Sequence, residues 1–323
     1  MENTLQGNLT ELKSKNECYI SIVAPAYNES ENIYPFYERM KKVLDSITDD
    51  WEIVCVNDGS KDDTVEKLID LNSKDNRVKV VDLSRNFGKE LALTAGLDYS
   101  KGKAIIPIDI DLQDPPELIK DMIELWKQGN DVVYATRIKR EGESAIKKTT
   151  AYLFYKLINK MTRINIPQNT GDFRLIDRRV LDSLKELKET HRFMKGLFSW
   201  VGYKQVSLPY VREPRFAGTT KFNYWKLWNF AIEGITSFSI VPLQLATYLG
   251  FFISLIAAFY AIVIIYKTLS HGADVPGYPS IMVTVLFFGG IQLITIGIIG
   301  EYVGRIYNEV KGRPLYLVNR NYD

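Results

Sequence analysis

Between Gly234 and Tyr266 the chain carries no Asp, Glu, Lys or Arg, and from Val275 to Gly300 it carries none again. Each run exceeds the roughly 20 residues that a helix needs to cross the hydrocarbon core of a bilayer. Two core helices of that length without a charge would be unusual in a water-soluble fold. The runs are therefore expected to be two membrane spans, about 241–266 and 280–300. The link Lys267–Ser280 is short and holds Gly272, Pro276, Gly277 and Pro279, as the turn of a helical hairpin does. It carries one Lys and no Arg, whereas Arg212, Arg215, Lys221 and Lys226 precede the first run and Arg305, Lys311, Arg313 and Arg320 follow the second. By the positive-inside rule both flanks, and with them both termini, are expected in the cytoplasm. Met1–Asn16 is polar and does not resemble a signal peptide.

Upstream of the hairpin, strand and helix patterns alternate. Tyr19–Ala24, Trp51–Val56, Val78–Leu83, Ala104–Ile108 and Asp131–Ala135 are short, β-rich apolar runs. Between them Glu31–Ile47, Lys61–Asn72, Lys89–Tyr99 and Glu117–Lys127 have helical spacing, the first with an apolar stripe of Ile33, Phe36, Met40, Val43, Leu44 and Ile47. This order predicts an α/β domain with a mainly parallel, Rossmann-like sheet. The net charge of +2 gives no basic excess of the kind that nucleic-acid binding needs, so no nucleic-acid partner is expected. Cys18 and Cys55 lack metal-ligand spacing and are expected to be ordinary core or near-core thiols.

In parallel sheets ligands bind beyond the carboxyl ends of the strands, and there the polar clusters fall: Pro25–Glu29, Asn57–Ser60, Ser84–Gly88, Asp109–Asp114 and Thr136–Arg137. Alone, each is ordinary turn chemistry; together on one edge they point to a nucleotide or phosphate site. If the fourth strand continues through them, Asp109 and Asp111 share a face. Two close carboxylates repel unless a cation lies between them, and hard oxygen ligands suit Mg²⁺ or Mn²⁺ held jointly with substrate phosphates. Neither G-x-G-x-x-G nor a P-loop motif occurs. His191 and His271 are the only histidines, which argues against a histidine triad or a zinc site.

Pro25-Ala-Tyr-Asn-Glu29, Asn57-Asp-Gly-Ser60, Asn86-Phe-Gly-Lys-Glu90 and Asp109-Ile-Asp-Leu-Gln-Asp-Pro-Pro-Glu117 together resemble glycosyltransferase family 2 enzymes of the GT-A fold. Thr170–Arg179, Arg215–Lys221 and the two-span hairpin extend the resemblance, which covers roughly Ile20 to Pro314. The branch it is most similar to is the polyprenyl-phosphate glycosyltransferases, which include dolichol-phosphate mannose synthase and the bacterial bactoprenol (undecaprenyl-phosphate) glucosyltransferases. The resemblance implies an inverting, metal-dependent hexosyltransferase of the plasma (inner) membrane. Its best match is transfer of glucose from UDP-glucose to polyprenyl phosphate at the cytoplasmic face, and its members form homo-oligomers. Mannosyl and amino-sugar transferases share the motifs, and another membrane lipid is an alternative acceptor.

Carried over residue by residue, the resemblance implies that Pro25, Tyr27 and Glu29 line the base pocket and that Asp58 is a further base or ribose contact. Lys89, Asp109 and Arg137 belong to the nucleotide-sugar site, with Arg137 as a phosphate contact. Asp109, Asp111 and Gln113 hold the metal and diphosphate. Asp111, Asp172, Arg174, Arg215 and Lys221 carry the catalytic roles, the last two in a basic loop over both phosphates. Asn57 departs from the family's more usual Asp. Ile110 replaces a commoner small residue and is expected to point away from the metal.

The chemistry is consistent with these residues. Loss of a diphosphate develops negative charge that a divalent ion and nearby Arg or Lys stabilise. A lipid phosphate, with a second pKa near 6, is already largely anionic at neutral pH and needs no strong general base. Asp172 is expected to orient the acceptor or steady positive charge on the sugar; a helix cap or a partner for Arg174 is the plainer alternative. A processive polysaccharide synthase would carry Gln-x-x-Arg-Trp, which is absent. A catalytically dead scaffold would not need the acidic pair. Ala145–Met161 and Tyr224–Phe238 are amphipathic and are expected at the membrane interface. The expected layout is a tail over 1–17, a catalytic domain over 18–222, an interfacial helix over 223–240, the hairpin over 241–300 and a cytoplasmic tail over 301–323.

Overall fold

The computed structural model describes residues 19–138, 167, 169–190, 192–213, 236, 239–271 and 277–323. These form two units, one of the described residues up to 213 together with 314–323 and one of the described residues from 236 to 313. The segments 145–161 and 224–235, Arg215, Lys221, His191, Cys18 and the first 17 residues lie outside the described residues.

The first unit is built on an eight-stranded sheet: β1 (Ile20–Ala26), β2 (Trp51–Asn57), β3 (Val78–Leu83), β4 (Ala104–Pro107), β5 (Val132–Arg137), β6 (Thr170–Asp177), β7 (Gln205–Tyr210) and β8 (Val318–Tyr322). Its order is β7-β5-β6-β4-β1-β2-β3-β8. β1 pairs in parallel with β2 and β4, β2 with β3, and β5 with β7. β6 runs antiparallel to both β4 and β5, and β8 antiparallel to β3. The central strands are apolar on both faces because both are covered. Ile22, Ala24, Ile53 and Val80 pack under α1 (Ile33–Asp45), α2 (Thr64–Lys74) and α4 (Ile119–Lys127). Val54, Val56 and Val81 face Ala92 and Ala95 of α3 (Lys89–Tyr99). Gly96 of α3 lets the helix close on the sheet: a Cβ there would stand 2.4 Å from Val23 Cγ1. Two further helices, α5 (Arg178–Lys185) and α6 (Met194–Trp200), follow β6. Cys55 is a free, buried thiol, and burial pushes its pKa up to about 12.

Strand direction places the site. The order reverses between β1 and β4, the crevice where open α/β sheets bind ligands. Because β6 runs against β4 and β5, its first residues, Thr170–Asp172, come to the edge where β4, β5 and β7 end. This is the GT-A arrangement. One expectation needs correcting. β4 ends at Pro107, so Asp109–Asp111 lie in a turn rather than on a strand face. Leu112 has φ +57 in that turn. Ile110 does point inward, into the core, because the turn directs it there and not because of strand alternation.

The second unit consists of α7 (Val241–His271) and α8 (Tyr278–Val310). By length and composition, Val241–Tyr260 and Phe287–Val310 are long and apolar enough to cross a membrane. Their large side chains, among them Phe251, Phe259 and Leu293, are exposed, as lipid-facing residues are. Both helices run beyond the expected spans. Residues 301–323, read as a tail, contain the last turns of α8 and the whole of β8.

Candidate active site

The loops after β1 and β2 are joined to each other. Asn28, with φ +51, donates its N–H to Ser60 Oγ at 3.0 Å, and its Oδ1 accepts from Lys61 N at 2.8 Å. Asn tolerates this left-handed conformation better than most residues. Glu29 N donates to Thr64 Oγ1 at 3.0 Å, and Asn32 Nδ2 donates to Glu29 Oε2 at 2.7 Å. Pro25 and Tyr27 are half-buried beside them. Asn57 donates to Asp82 Oδ1 at 2.7 Å and accepts from Ser60 N at 3.2 Å. An Asp at this position would set two carboxylates together, so the amide suits its neighbours.

Asp58 is turned into the protein. Its two oxygens accept Phe87 N at 2.7 Å and Gly88 N at 3.0 Å, and its carbonyl accepts Asn86 Nδ2 at 3.1 Å. Burial pushes this carboxyl up, against the pull of the two N–H donors. Asp58, expected as a base or ribose contact, thereby holds the Ser84–Gly88 loop. Gly59 completes the turn with φ +63, and a Cβ on it would stand 2.5 Å from the Arg85 carbonyl carbon and Asn86 N.

From that loop α3 begins, and its first residue reaches across the site. Lys89 Nζ lies 2.7 Å from Asp109 Oδ1 and 2.7 Å from Asp172 Oδ2. Enclosure alone would make the ammonium less basic, but Asp109 and Asp172 outweigh it and raise its pKa. Asp172 shows the converse balance: burial opposes ionisation, yet Lys89, then Lys195, holds it below the usual carboxylate range. Its Oδ1 is buried without a hydrogen-bond partner among the described residues. Glu90 lies behind this pair, accepting Met194 N at 3.3 Å. Burial, then the Asp172 charge, pushes it up to about 7. Arg174 is buried with its guanidinium carbon 4.1 Å from the Phe198 ring centroid and donates to Gly171 O at 2.9 Å. Desolvation lowers its pKa to about 10, so it stays cationic at neutral pH.

A second chain of contacts runs beside the first. Arg137 Nε donates to Tyr210 Oη at 3.1 Å, and Tyr210 donates to Asp114 Oδ1. The Arg137 guanidinium rests on Gly171, where a Cβ would stand 2.9 Å from Nη2. Asp111 is buried and accepts Gln113 N at 3.2 Å.

Residues 21–185 match Glycosyl transferase family 2, and residues 241–306 match the GtrB C-terminal hairpin. The uncharacterized glycosyltransferase sll0501 of Synechocystis sp. is 58% identical over 300 residues, 93% of this chain and 94% of that protein. The chain belongs to glycosyl transferase family 2. It is a glycosyltransferase. The uncharacterized glycosyltransferase YkcC of Bacillus subtilis is 50% identical over 94% of each chain. The bactoprenol glucosyl transferase of Shigella phage SfII is 49% identical over 94% of this chain and 98% of that one.

The donor set of this family 2 site fits a hard divalent cation. Asp109 and Asp111 offer carboxylate oxygens and Gln113 an amide oxygen, and Asp172 is joined to Asp109 through Lys89. Among the described residues no group of three or more His, Cys, Asp or Glu side chains is placed to hold a metal ion by itself. The fold thus brings Lys89, Asp109, Asp172 and Arg174 together, and Arg137 beside them. Arg215 and Lys221 lie outside the described residues. Sequence reasoning missed Glu90, Tyr210 and Asp114 as parts of the site. Glu90 and Asp114 lay inside quoted motifs, but nothing marked the one as half-buried beside Asp172 or the other as buried; Tyr210 gave no signal.

Proposed function

We propose that this glycosyltransferase moves a hexose, glucose from UDP-glucose, to a polyprenyl phosphate at the cytoplasmic face of the membrane. The observation that carries the reading is the ion cluster Asp109–Lys89–Asp172 at the carboxyl edge of the sheet, in a chain that also carries a membrane-type hairpin. The bactoprenol glucosyl transferases of similar length and arrangement support the lipid and the sugar. Lys and Arg flanking the hairpin support the cytoplasmic orientation.

In this reading a phosphate oxygen of the lipid bonds to the anomeric carbon while the bond from that carbon to the UDP oxygen breaks, with inversion. Asp109, Asp111 and Gln113 would hold Mg²⁺ or Mn²⁺, which supplies neutralising charge to the leaving diphosphate. Pro25, Tyr27 and Glu29 bind the base, and Asp58 holds the loop beside them. Arg137 and Arg174, with Arg215 and Lys221 further along the chain, offset the repulsion between the two anionic phosphates. Asp172, kept ionised by Lys89, orients the acceptor and faces the positive charge that develops on the sugar.

The test is label transfer by purified protein in detergent, with undecaprenyl phosphate, MnCl₂ and either UDP-glucose or GDP-mannose. Lipid-extractable label from UDP-glucose, abolished by Asp111→Ala and by chelation, is the expected result. Label from GDP-mannose alone would replace the sugar and the nucleotide. No labelled lipid from either donor would overturn the polyprenyl acceptor.

A further inference from the structure

Arg39, on α1 and outside every motif named above, holds two carboxylates at once. Its Nε and Nη2 donate to the two oxygens of Glu117 at 2.9 and 2.8 Å. Its Nη1 and Nη2 donate to the two oxygens of Glu213, each at 2.9 Å. All three guanidinium nitrogens are engaged, and the side chain is 29% exposed. Paired, bidentate geometry of this kind is what separates a strong arginine contact from an ordinary surface ion pair.

The two carboxylates belong to different parts of the site. Glu117 closes the segment that begins with Asp109 and Asp111. Glu213 follows β7, and Arg215 comes two residues later in the sequence. The same two segments are joined nearby: Glu213 N donates to Gln113 O at 3.0 Å, Tyr210 donates to Asp114, and Arg212 Nε lies 3.8 Å from Asp114 Oδ1. Without the arginine, Glu117 and Glu213 would face each other as like charges. The arginine therefore adds to these links a four-bond bridge that offsets the repulsion between the acidic turn and the exit of β7.

We propose that Arg39 is a positioning residue for sugar transfer: it fixes the Asp109–Glu117 turn against Tyr210–Glu213, so that the acidic turn and the Arg137–Tyr210 contact keep their relative place. It touches no reacting atom. A lysine keeps the charge but lacks the planar fork and cannot serve both carboxylates in this way.

The deciding experiment compares wild type, Arg39→Lys, Arg39→Gln and Glu213→Gln, all as full-length protein in detergent. Amide hydrogen exchange is read first, without substrate. Peptides spanning 109–117 and 210–213 are expected to exchange roughly 5–30-fold faster in both Arg39 variants, with α1 and the thermal midpoint of Arg39→Lys little changed. Combining Arg39→Gln with Glu213→Gln is expected to add little to either alone. Kinetics follow and rest on the transfer reading above: kcat falls by about 10–100-fold, the cost of small misplacement, with little change in donor KM. Unchanged exchange in both segments overturns the clamp, whatever the substrate proves to be. Faster exchange with wild-type kcat in Arg39→Lys overturns the positioning role and leaves the transfer reading intact. Failure of wild type to transfer label refutes that reading alone, because the exchange result stands without it.

Discussion

Lys89 Nζ stands 2.7 Å from Asp172 Oδ2, joining the first residue of one helix to the start of a strand that runs against β4 and β5. Because the same ammonium touches Asp109, a single cation lies between two carboxylates, and it holds that of Asp172 below the usual carboxylate range. Lys89→Gln removes that cation and leaves the pair to repel. The carboxyl of Asp172 then rises, since the charge that lowered it is gone. The acidic limb of the kcat/KM profile is expected to move to higher pH, and kcat at neutral pH to fall on the order of 10²-fold. A pH–rate profile with an unmoved acidic limb would remove Lys89 from this role.

Glu90 gives a prediction of opposite sign. Its folded-state pKa is raised from 4.5 to about 7, first by burial and then by Asp172. Between those values the folded protein holds a proton that the unfolded chain has released. Stability contributed by this group is therefore present at low pH and declines as pH rises from about 4.5 to about 7. Glu90→Gln cannot ionise, so its melting temperature relative to wild type should climb across that window and level off above it. Thermal unfolding at a series of pH values checks this; a constant offset would show that Glu90 does not titrate there.

Gly59 tests the loop that Asp58 holds. Its φ of +63 and the 2.5 Å approach of the Arg85 and Asn86 backbone leave no room for a methyl group. Gly59→Ala should cost about 1–3 kcal/mol and raise donor KM more than acceptor KM. Unfolding curves and donor titrations are the measurements, and wild-type values in both would refute the crowding argument.

How much of this was legible depends on burial. β1 to β4 are covered on both faces, so Ile20–Ala26, Trp51–Asn57 and Ala104–Pro107 stand out as apolar runs. β6 reads Thr-Gly-Asp-Phe-Arg-Leu-Ile-Asp; Gly171, Asp172 and Arg174 serve the site, and their polarity hides the strand. Asp109 and Asp111 were legible as acids at a strand's carboxyl end. The meeting of Lys89 with Asp172 was not, because it depends on β6 running antiparallel to β4. Arg39 was invisible for a similar reason: its partners lie 78 and 174 residues away.

β8 is the clearest case of an element the residue pattern concealed. Val-Asn-Arg-Asn-Tyr is polar because it is an edge strand, where charge and amide groups discourage further pairing. Yet it covers the outer side of β3, with Val80 opposite Tyr322 and Asp82 opposite Arg320. Asn319 Nδ2 donates to Asp82 Oδ2 at 2.8 Å, while Asp82 Oδ1 takes Asn57 Nδ2 at 2.7 Å. Tyr316 donates to Asp98 at 2.8 Å. The strand is thus one hydrogen-bond relay from the Asn57–Ser60 turn. Deleting residues 314–323 should expose the β3 backbone and lower stability by about 2–4 kcal/mol, the scale of losing one or two partly buried large side chains. It should also weaken donor binding through Asn57. Asn319→Ala should reproduce the binding defect with a smaller loss of stability. Isothermal titration with UDP beside thermal unfolding separates the two effects, and a truncated protein that melts and binds as wild type does would show β8 to be dispensable.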